Sequence, residues 1–552
     1  MKSTNIQFVI VVTLCDLLIP ANTANILSLV EVLTPEQQLW HDAVYRGLLS
    51  RGHKLTIVSG SRLTSKPPGV VQIHLEDVKA ILDTNKPPKL FTNPWLSPFE
   101  RVIHWYDRQM KICKAVLSSS GLQEFIVLSR QAEPFDLIIY DATYGPSCLL
   151  ALAQLFENIP IVAVSTSYIT PDLLKVARGT HIQPATIPHF TTVHNEHMNF
   201  LERLHNTIVY AMASFFRQFT VESVHEALLA KSEELQEAHI KPQLGKIIDR
   251  IKVVLVNSHP ATDYVHALPA NVIEVGGLQF DNVNRPLSVE MQGFIDNSEE
   301  GVFIITLGSQ GNINELKHDV IEVILNTIDS LPEYDFIWGV DKLPIPTESR
   351  PNLFVGKWLK KSNIFAQRKV KGFISGGSHM DVQSAVYYGV PIIGIPGELY
   401  QPNAAQRAQA LGFGIRVDLS SDPQKLYSAI NTIYLEPKFK ENAKSRQAAF
   451  RNRPRDPLDE AMWWIEYVLS HPVESDYLFS RASADTSYFV MHSLDAISVL
   501  VFMLAMFFVN CYFVLKHLIE YWNTKGQHEI EAKNENSKRK LKKSNSNKKK
   551  SQ

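Results

Sequence analysis

Residues 358–405 read WLKKSNIFAQRKVKGFISGGSHMDVQSAVYYGVPIIGIPGELYQPNAA. Within them the run Lys371–Ser375 ends in Ser375-Gly376-Gly377-Ser378, a helical pattern begins near His379, and a second apolar run, Ile392–Ile395, follows. A β-rich run, a glycine turn and a helix in that order is the grammar of a parallel α/β layer. Glycines at such a turn free backbone N–H groups at a helix N-terminus, where the helix dipole favours an anion.

Outward from this stretch the same alternation recurs. Short apolar runs fall at Ile26–Val30, Leu55–Val58, Leu137–Tyr140 and Ile161–Val164, then at Val253–Asn257, Val302–Leu307 and Phe336–Gly339. Between Gly276-Gly277-Leu278 and Pro286-Leu287 the composition turns to Gly, Asn and Pro, as in an interdomain linker. Two doubly wound domains are expected, residues 24–280 and 285–450, with any ligand in the cleft at the carboxyl ends of their strands. The 552 residues, 45% hydrophobic and 20% charged, have room for both and exclude a disordered or fibrous chain.

The two ends have a different grammar. Lys2 precedes an apolar run from Ile6 to Leu18 and the small residues Ala21-Asn22-Thr23-Ala24, which predicts a signal peptide over 1–23. Residues 496–515 carry no formal charge and make about 30 Å of helix, one bilayer crossing. From Lys516 onward eleven Lys or Arg stand against four Glu, so the tail 516–552 is expected in the cytoplasm and the domains in the lumen, a type I arrangement. Because the basic residues concentrate in that tail, nucleic-acid binding is not expected. Cys113 and Cys148 are the two lumenal cysteines, which permits a disulfide without requiring one. No metal-ligand spacing occurs among Cys and His, and no Asn-x-Ser/Thr sequon is present.

Several of these segments resemble the UDP-glycosyltransferases, membrane-bound enzymes that move a sugar from a UDP-sugar onto small lipophilic acceptors. They are Arg51-Gly52-His53, Phe135-Asp136-Leu137, Gly308-Ser309, Ser375 to Ser378, Gln401-Pro402 and Arg455 to Val468, and the similarity spans residues 24–515. The resemblance implies two facing Rossmann-like domains of the GT-B type plus a C-terminal transmembrane helix, with helices over 451–490 returning toward the first domain. It also implies a UDP-sugar co-substrate and no further cofactor. Lys549 and Lys550, fourth and third from the end, resemble a dilysine signal for retrieval to the endoplasmic reticulum.

Carried over position by position, the resemblance gives a site with replacements. The donor-binding candidates are Gly308, Ser309, Trp358, Ser375, Gly376, Gly377 and Gln401. Trp358 is in the place of the ring that stacks on uracil, but Lys360-Lys361 replaces the following Pro-Gln. Gly376 stands where a phosphate-contacting histidine belongs, Ser384 where a ribose-binding glutamate belongs, and Tyr400 and Ala404 where the sugar-reading Asp and an Asn belong. On the acceptor side Asp141 matches the aspartate that orients the family's catalytic histidine, whose own position falls on Gln37. An amide is no general base. Thr34-Pro35-Glu36-Gln37 reads instead as a capping box. His41, one helical turn further on, is the candidate substitute base, and Glu36 a weaker one.

A positioned general base is worth about 10²–10⁴ in rate and a preorganised donor at developing charge about 10²–10³. By the usual mechanism, activity is therefore expected near background. Two readings remain open: hexosyl transfer to a lipophilic hydroxyl with an unorthodox base, or a catalytically inactive binder of a small lipophile that associates with itself or with active relatives.

Overall fold

The computed structural model describes residues 23–63, 67–76, 78, 80, 95–131, 133–156, 158–177, 183–237, 244–280, 286–307, 318–340, 350–357, 361–397, 401–418, 423–478, 488–491 and 493–548. The expected signal peptide, Gly308, Ser309, Trp358, Tyr400, the middle of the expected linker and the terminal Lys549-Lys550 lie outside the described residues.

The first sheet comprises β1 (Asn25–Val30), β2 (Lys54–Ser59), β3 (Val70–His74), β4 (Leu137–Asp141), β5 (Ile161–Ser165), β6 (Ile251–Val256) and β7 (Val272–Glu274). Their order is β3-β2-β1-β4-β5-β6-β7, and every pairing is parallel. Strands such as LIIYD of β4 are buried at every position, as a parallel sheet covered on both faces requires. The order reverses between β1 and β4, so the crevice for a ligand opens at the ends of those two strands.

The second sheet comprises β8 (Val302–Thr306), β9 (Asp335–Val340), β10 (Leu353–Lys357), β11 (Val370–Ser375), β12 (Ile392–Gly394) and β13 (Gly414–Arg416). Its parallel order, β10-β9-β8-β11-β12-β13, repeats the Rossmann pattern with the reversal between β8 and β11. The glycine turn after β11 therefore sits at the switch point of the second sheet.

Helix α1 (Pro35–Ser50) begins as its sequence dictates. The Thr34 hydroxyl accepts from Gln37 N at 3.3 Å, and Gln37 Oε1 accepts from Thr34 N at 2.9 Å. Trp40, Val44 and Leu48 follow at four-residue spacing and are buried in one cluster with β1, β2 and β4. Burying side chains of that size stabilises by about 1.5–3 kcal/mol each.

Helix α2 (Ser97–Leu117) carries Cys113, which is disulfide-bonded to Cys148 in the 3₁₀ segment Cys148–Leu155. Helix α3 (Phe200–Phe216) lies beside α2, and α4 (His379–Tyr388) and α5 (Gln401–Ala410) flank the glycine turn. Helix α6 (Pro457–Ser470) joins the core of the first sheet through Ala461, Met462, Ile465 and Val468. It approaches α1 so closely that a Cβ on Gly47 would stand 2.8 Å from Met462 Sδ.

Residues through Phe479 form one compact unit, and Ser480–Gln552 form a second. The latter holds α7 (Leu494–Lys548), which is long and apolar enough over its first part to cross a membrane.

Candidate functional site

The acceptor side is built at the carboxyl ends of β1 and β4. Asp141 closes β4, and its Oδ2 accepts a hydrogen bond from His41 Nε2 at 2.9 Å. Its Oδ1 accepts from Thr143 N at 2.8 Å, so the carboxylate is held from both sides. His41 is 0% exposed, with the Trp40 and Tyr45 rings 5.4 and 5.7 Å away. Its Nδ1 is buried and has no hydrogen-bond partner among the described residues. The structure thus brings together two of the sequence candidates, histidine and aspartate, but one turn deeper than the family's base position. In this arrangement the ring is closed off from solvent. Gln37, at the base position itself, is committed to the helix cap.

Glu31, which follows β1, was not among the sequence candidates, although an acidic residue directly after an apolar strand was the available signal. It is buried, and burial pushes its carboxyl up from an ordinary 4.5 to about 7, with the Asp141 charge adding to the effect. A hydrogen bond from Ser147 and the Arg217 charge oppose it only in part. Oε1 has no partner among the described residues. Arg217 is itself buried, paired with Asp172 at 3.3 Å and bonded to Gln109 and the Pro146 carbonyl.

The donor side differs from a free anion site. Ser375 ends β11 and its Oγ accepts from Gly377 N at 3.0 Å, while Gly377 takes φ +70°, which a glycine adopts without strain. Ser378 caps α4: its Oγ accepts from Asp381 N at 3.2 Å and donates to Asp381 Oδ2 at 2.9 Å. The same carboxylate accepts from Ser378 N at 3.3 Å. The helix N-terminus where a diphosphate is expected already holds a carboxylate of its own. Above Gly376 lies the amide of Gln401, whose Nε2 is 2.7 Å from where a Cβ on that glycine would be. Gln401 Oε1 also accepts from Gly397 N at 2.8 Å. Ser384 donates to the Met380 carbonyl at 2.7 Å, so its hydroxyl is turned onto its own helix.

His379 does not reach back toward the phosphate position. It points to the first domain, with Nε2 2.6 Å from the Asn257 carbonyl and Nδ1 3.2 Å from Asp263 Oδ1. Further polar bonds cross the cleft: Gln383 Nε2 to the Asn257 carbonyl at 3.1 Å, Asn403 Nδ2 to the Thr192 carbonyl at 3.1 Å, and Arg407 to Glu196 at 2.7 Å. Beside these bonds Tyr168, Phe190, Tyr210 and Tyr264 line a small cavity of about 30 Å³. That volume is enough for a water. None of Asp263, Asn403, Arg407 and Glu196 was a sequence candidate, because pairing across a cleft leaves no local pattern. The grouping of Cys113, Cys148 and His225 has the proximity of metal ligands, but both sulfurs are consumed by the disulfide.

Two parallel Rossmann-type sheets facing one another, each with its switch point at the cleft, define the GT-B architecture of glycosyltransferases. Solved structures agree on the fold. The calicheamicin glycosyltransferase CalG4 matches with a TM-score of 0.51 at 15% identity, over 82% of this chain and 100% of that one. The spinosyn forosaminyltransferase SpnP matches with a TM-score of 0.52 at 13% identity, over 81% of this chain and 100% of that one. The family model described as UDP-glucoronosyl and UDP-glucosyl transferase matches residues 41–528, and the chain belongs to that family. Among relatives, UDP-glucosyltransferase 2 of Dactylopius coccus is 26% identical, over 91% of this chain and 95% of its own. UDP-glucuronosyltransferase 2B1 of Rattus norvegicus is 28% identical, over 82% of this chain and 86% of its own.

Proposed function

We propose that this chain is a membrane-anchored UDP-glycosyltransferase homologue of the endoplasmic reticulum that has left the family's transfer mechanism and serves as a non-catalytic binder of a small lipophilic molecule. The two-domain unit is placed in the lumen and the basic tail in the cytoplasm. The inherited reaction is hexosyl transfer from a UDP-sugar to a small lipophilic acceptor. What supports its loss is the occupation of the donor site by the chain itself: the Gln401 amide over Gly376 and the Asp381 carboxylate on the α4 N-terminus. A phosphate entering there would meet a like charge at a helix end whose Ser378 and Asp381 N–H groups are already bonded.

Calorimetric titration of the full chain in detergent with UDP and several UDP-sugars tests this. No heat up to millimolar ligand, from folded protein, is the expected result. Micromolar binding that weakens in Trp358→Ala would overturn it.

One observation favours a second reading, in which transfer persists. The His41–Asp141 pair at 2.9 Å has the composition of a base and its orienter. That reading requires α1 to expose the ring, and it predicts sugar transfer from a labelled donor that disappears in His41→Gln.

A further inference from the structure

We infer that His379 and Asp263 form a proton-dependent latch that holds the second domain closed on the first. The inference concerns domain closure alone and stands whether or not the cleft binds a nucleotide. His379 is the first residue of α4 and belongs to the second sheet's layer, while Asn257 and Asp263 follow β6 of the first. The imidazole joins them through both nitrogens, at 2.6 Å to a carbonyl and 3.2 Å to a carboxylate oxygen.

Neither partner can donate. A carbonyl accepts only, so Nε2 carries a proton; an ionised carboxylate accepts only, so Nδ1 carries one as well. The geometry therefore specifies an imidazolium. A neutral ring would keep one bond and turn a lone pair toward the other acceptor. Asp263 stays ionised because its Oδ2 accepts from His259 N at 3.0 Å and from Thr262 Oγ1 at 2.9 Å. Burial opposes charge on both residues, yet their mutual attraction outweighs it, raising His379 and lowering Asp263 from their ordinary values.

Other titratable and charged groups face the pair from the elements packed against it. From its own helix comes Asp381. From the segment after β6 comes His259, which burial holds near 4, as it does His266. Glu274, bonded to Ser258, is raised by burial. Arg407 of α5 donates to the Asp263 carbonyl at 3.0 Å and is paired with Glu196. Tyr168, whose ring lies 5.3 Å from that of His379, is held protonated by burial. Of these groups, the ring of His379 is the one bonded to both Asn257 and Asp263 across the cleft.

The sign follows from linkage. A histidine raised on folding contributes fully below 6.5, and the contribution is lost as pH rises through the raised value. Asp263, lowered from 3.8, is ionised throughout that window. Closure is thus firmest in mild acid and loosens toward alkaline pH, the open-to-closed ratio rising by up to about tenfold per pH unit between 6.5 and the raised value and levelling off above it.

Two spin labels read this directly. Glu124→Cys and Lys425→Cys, both exposed and one on each domain, are placed in the full chain with Cys511→Ser, reconstituted in nanodiscs. Pulsed electron-resonance distances are taken from pH 5.5 to 9. A single short distance at pH 6, joined by a longer one as pH rises, is expected. In His379→Gln and Asp263→Asn the longer distance should be present at every pH, with the pH dependence gone. An unchanged distance across the whole range in the protein with His379 and Asp263 intact would overturn the latch, even where a variant fails to fold. So would a pH-driven change that survives in both variants.

Discussion

Glu31 is buried in an environment at odds with its charge. Its folded value, about 7, lies above the ordinary 4.5, so the folded state binds its proton more tightly than the unfolded chain does. The favourable contribution is complete below 4.5 and is lost as pH rises through 7. Glu31→Gln keeps the shape and removes the titration. The variant should be more stable than the parent by about 3 kcal/mol at pH 8, at 1.36 kcal/mol per pH unit of displacement, with the advantage vanishing below pH 5. Urea midpoints at the two pH values check it. The same residue illustrates what was legible in the sequence. Asp141 and Gln37 could be named from the family resemblance, while the cap at Gln37 and the one-turn offset to His41 were legible because capping patterns and helical spacing are local. The His41–Asp141 bond spans 100 positions and the Asp381 cap was hidden inside a motif that promised an empty anion site.

At the scale of elements, long apolar runs announced themselves and short or mixed ones did not. Nine runs expected as strands are strands, whereas β3, β7, β10 and β13 were missed. VVQIH and LFVGK hold too few apolar residues, three each, and VIE and GIR are too short, to stand out from a loop; each is recruited by a neighbour already in the sheet. The start of α1 was fully specified by its own side chains. Thr34→Ala, which removes the cap from Gln37 N, should cost about 1 kcal/mol, read as a lower urea midpoint with unchanged slope. The disulfide was permitted by the sequence and is made by packing, which brings α2 against the 3₁₀ segment. It closes a loop with a separation of 35 residues. In the chain-entropy account that is worth about 4 kcal/mol, so Cys113→Ser with Cys148→Ser should unfold at distinctly lower temperature than the parent, and reductant should then have no further effect.

For the whole molecule, the question is which parts need the bilayer. The two sheets and α6 close their cores without α7: the clusters of both sheets are made within residues up to Val468, and the compact unit ends at Phe479. Helix α7 carries its apolar side chains outward, with Phe502, Phe507, Phe508 and Leu515 each about 60% exposed. So much apolar surface on one helix is stable only in an apolar solvent, and its leading segment is long enough to span the hydrocarbon core. Polar backbone groups raise no objection, because a helix satisfies its own. Expressed in cells, the full chain should therefore resist alkaline extraction and stay with the membrane pellet. A chain ended after residue 490 should partition to the soluble fraction while keeping the thermal transition of the two-domain unit. Recovery of the full chain in the alkaline supernatant would remove the anchor. Loss of the transition on truncation would instead mean that the second unit stabilises the first.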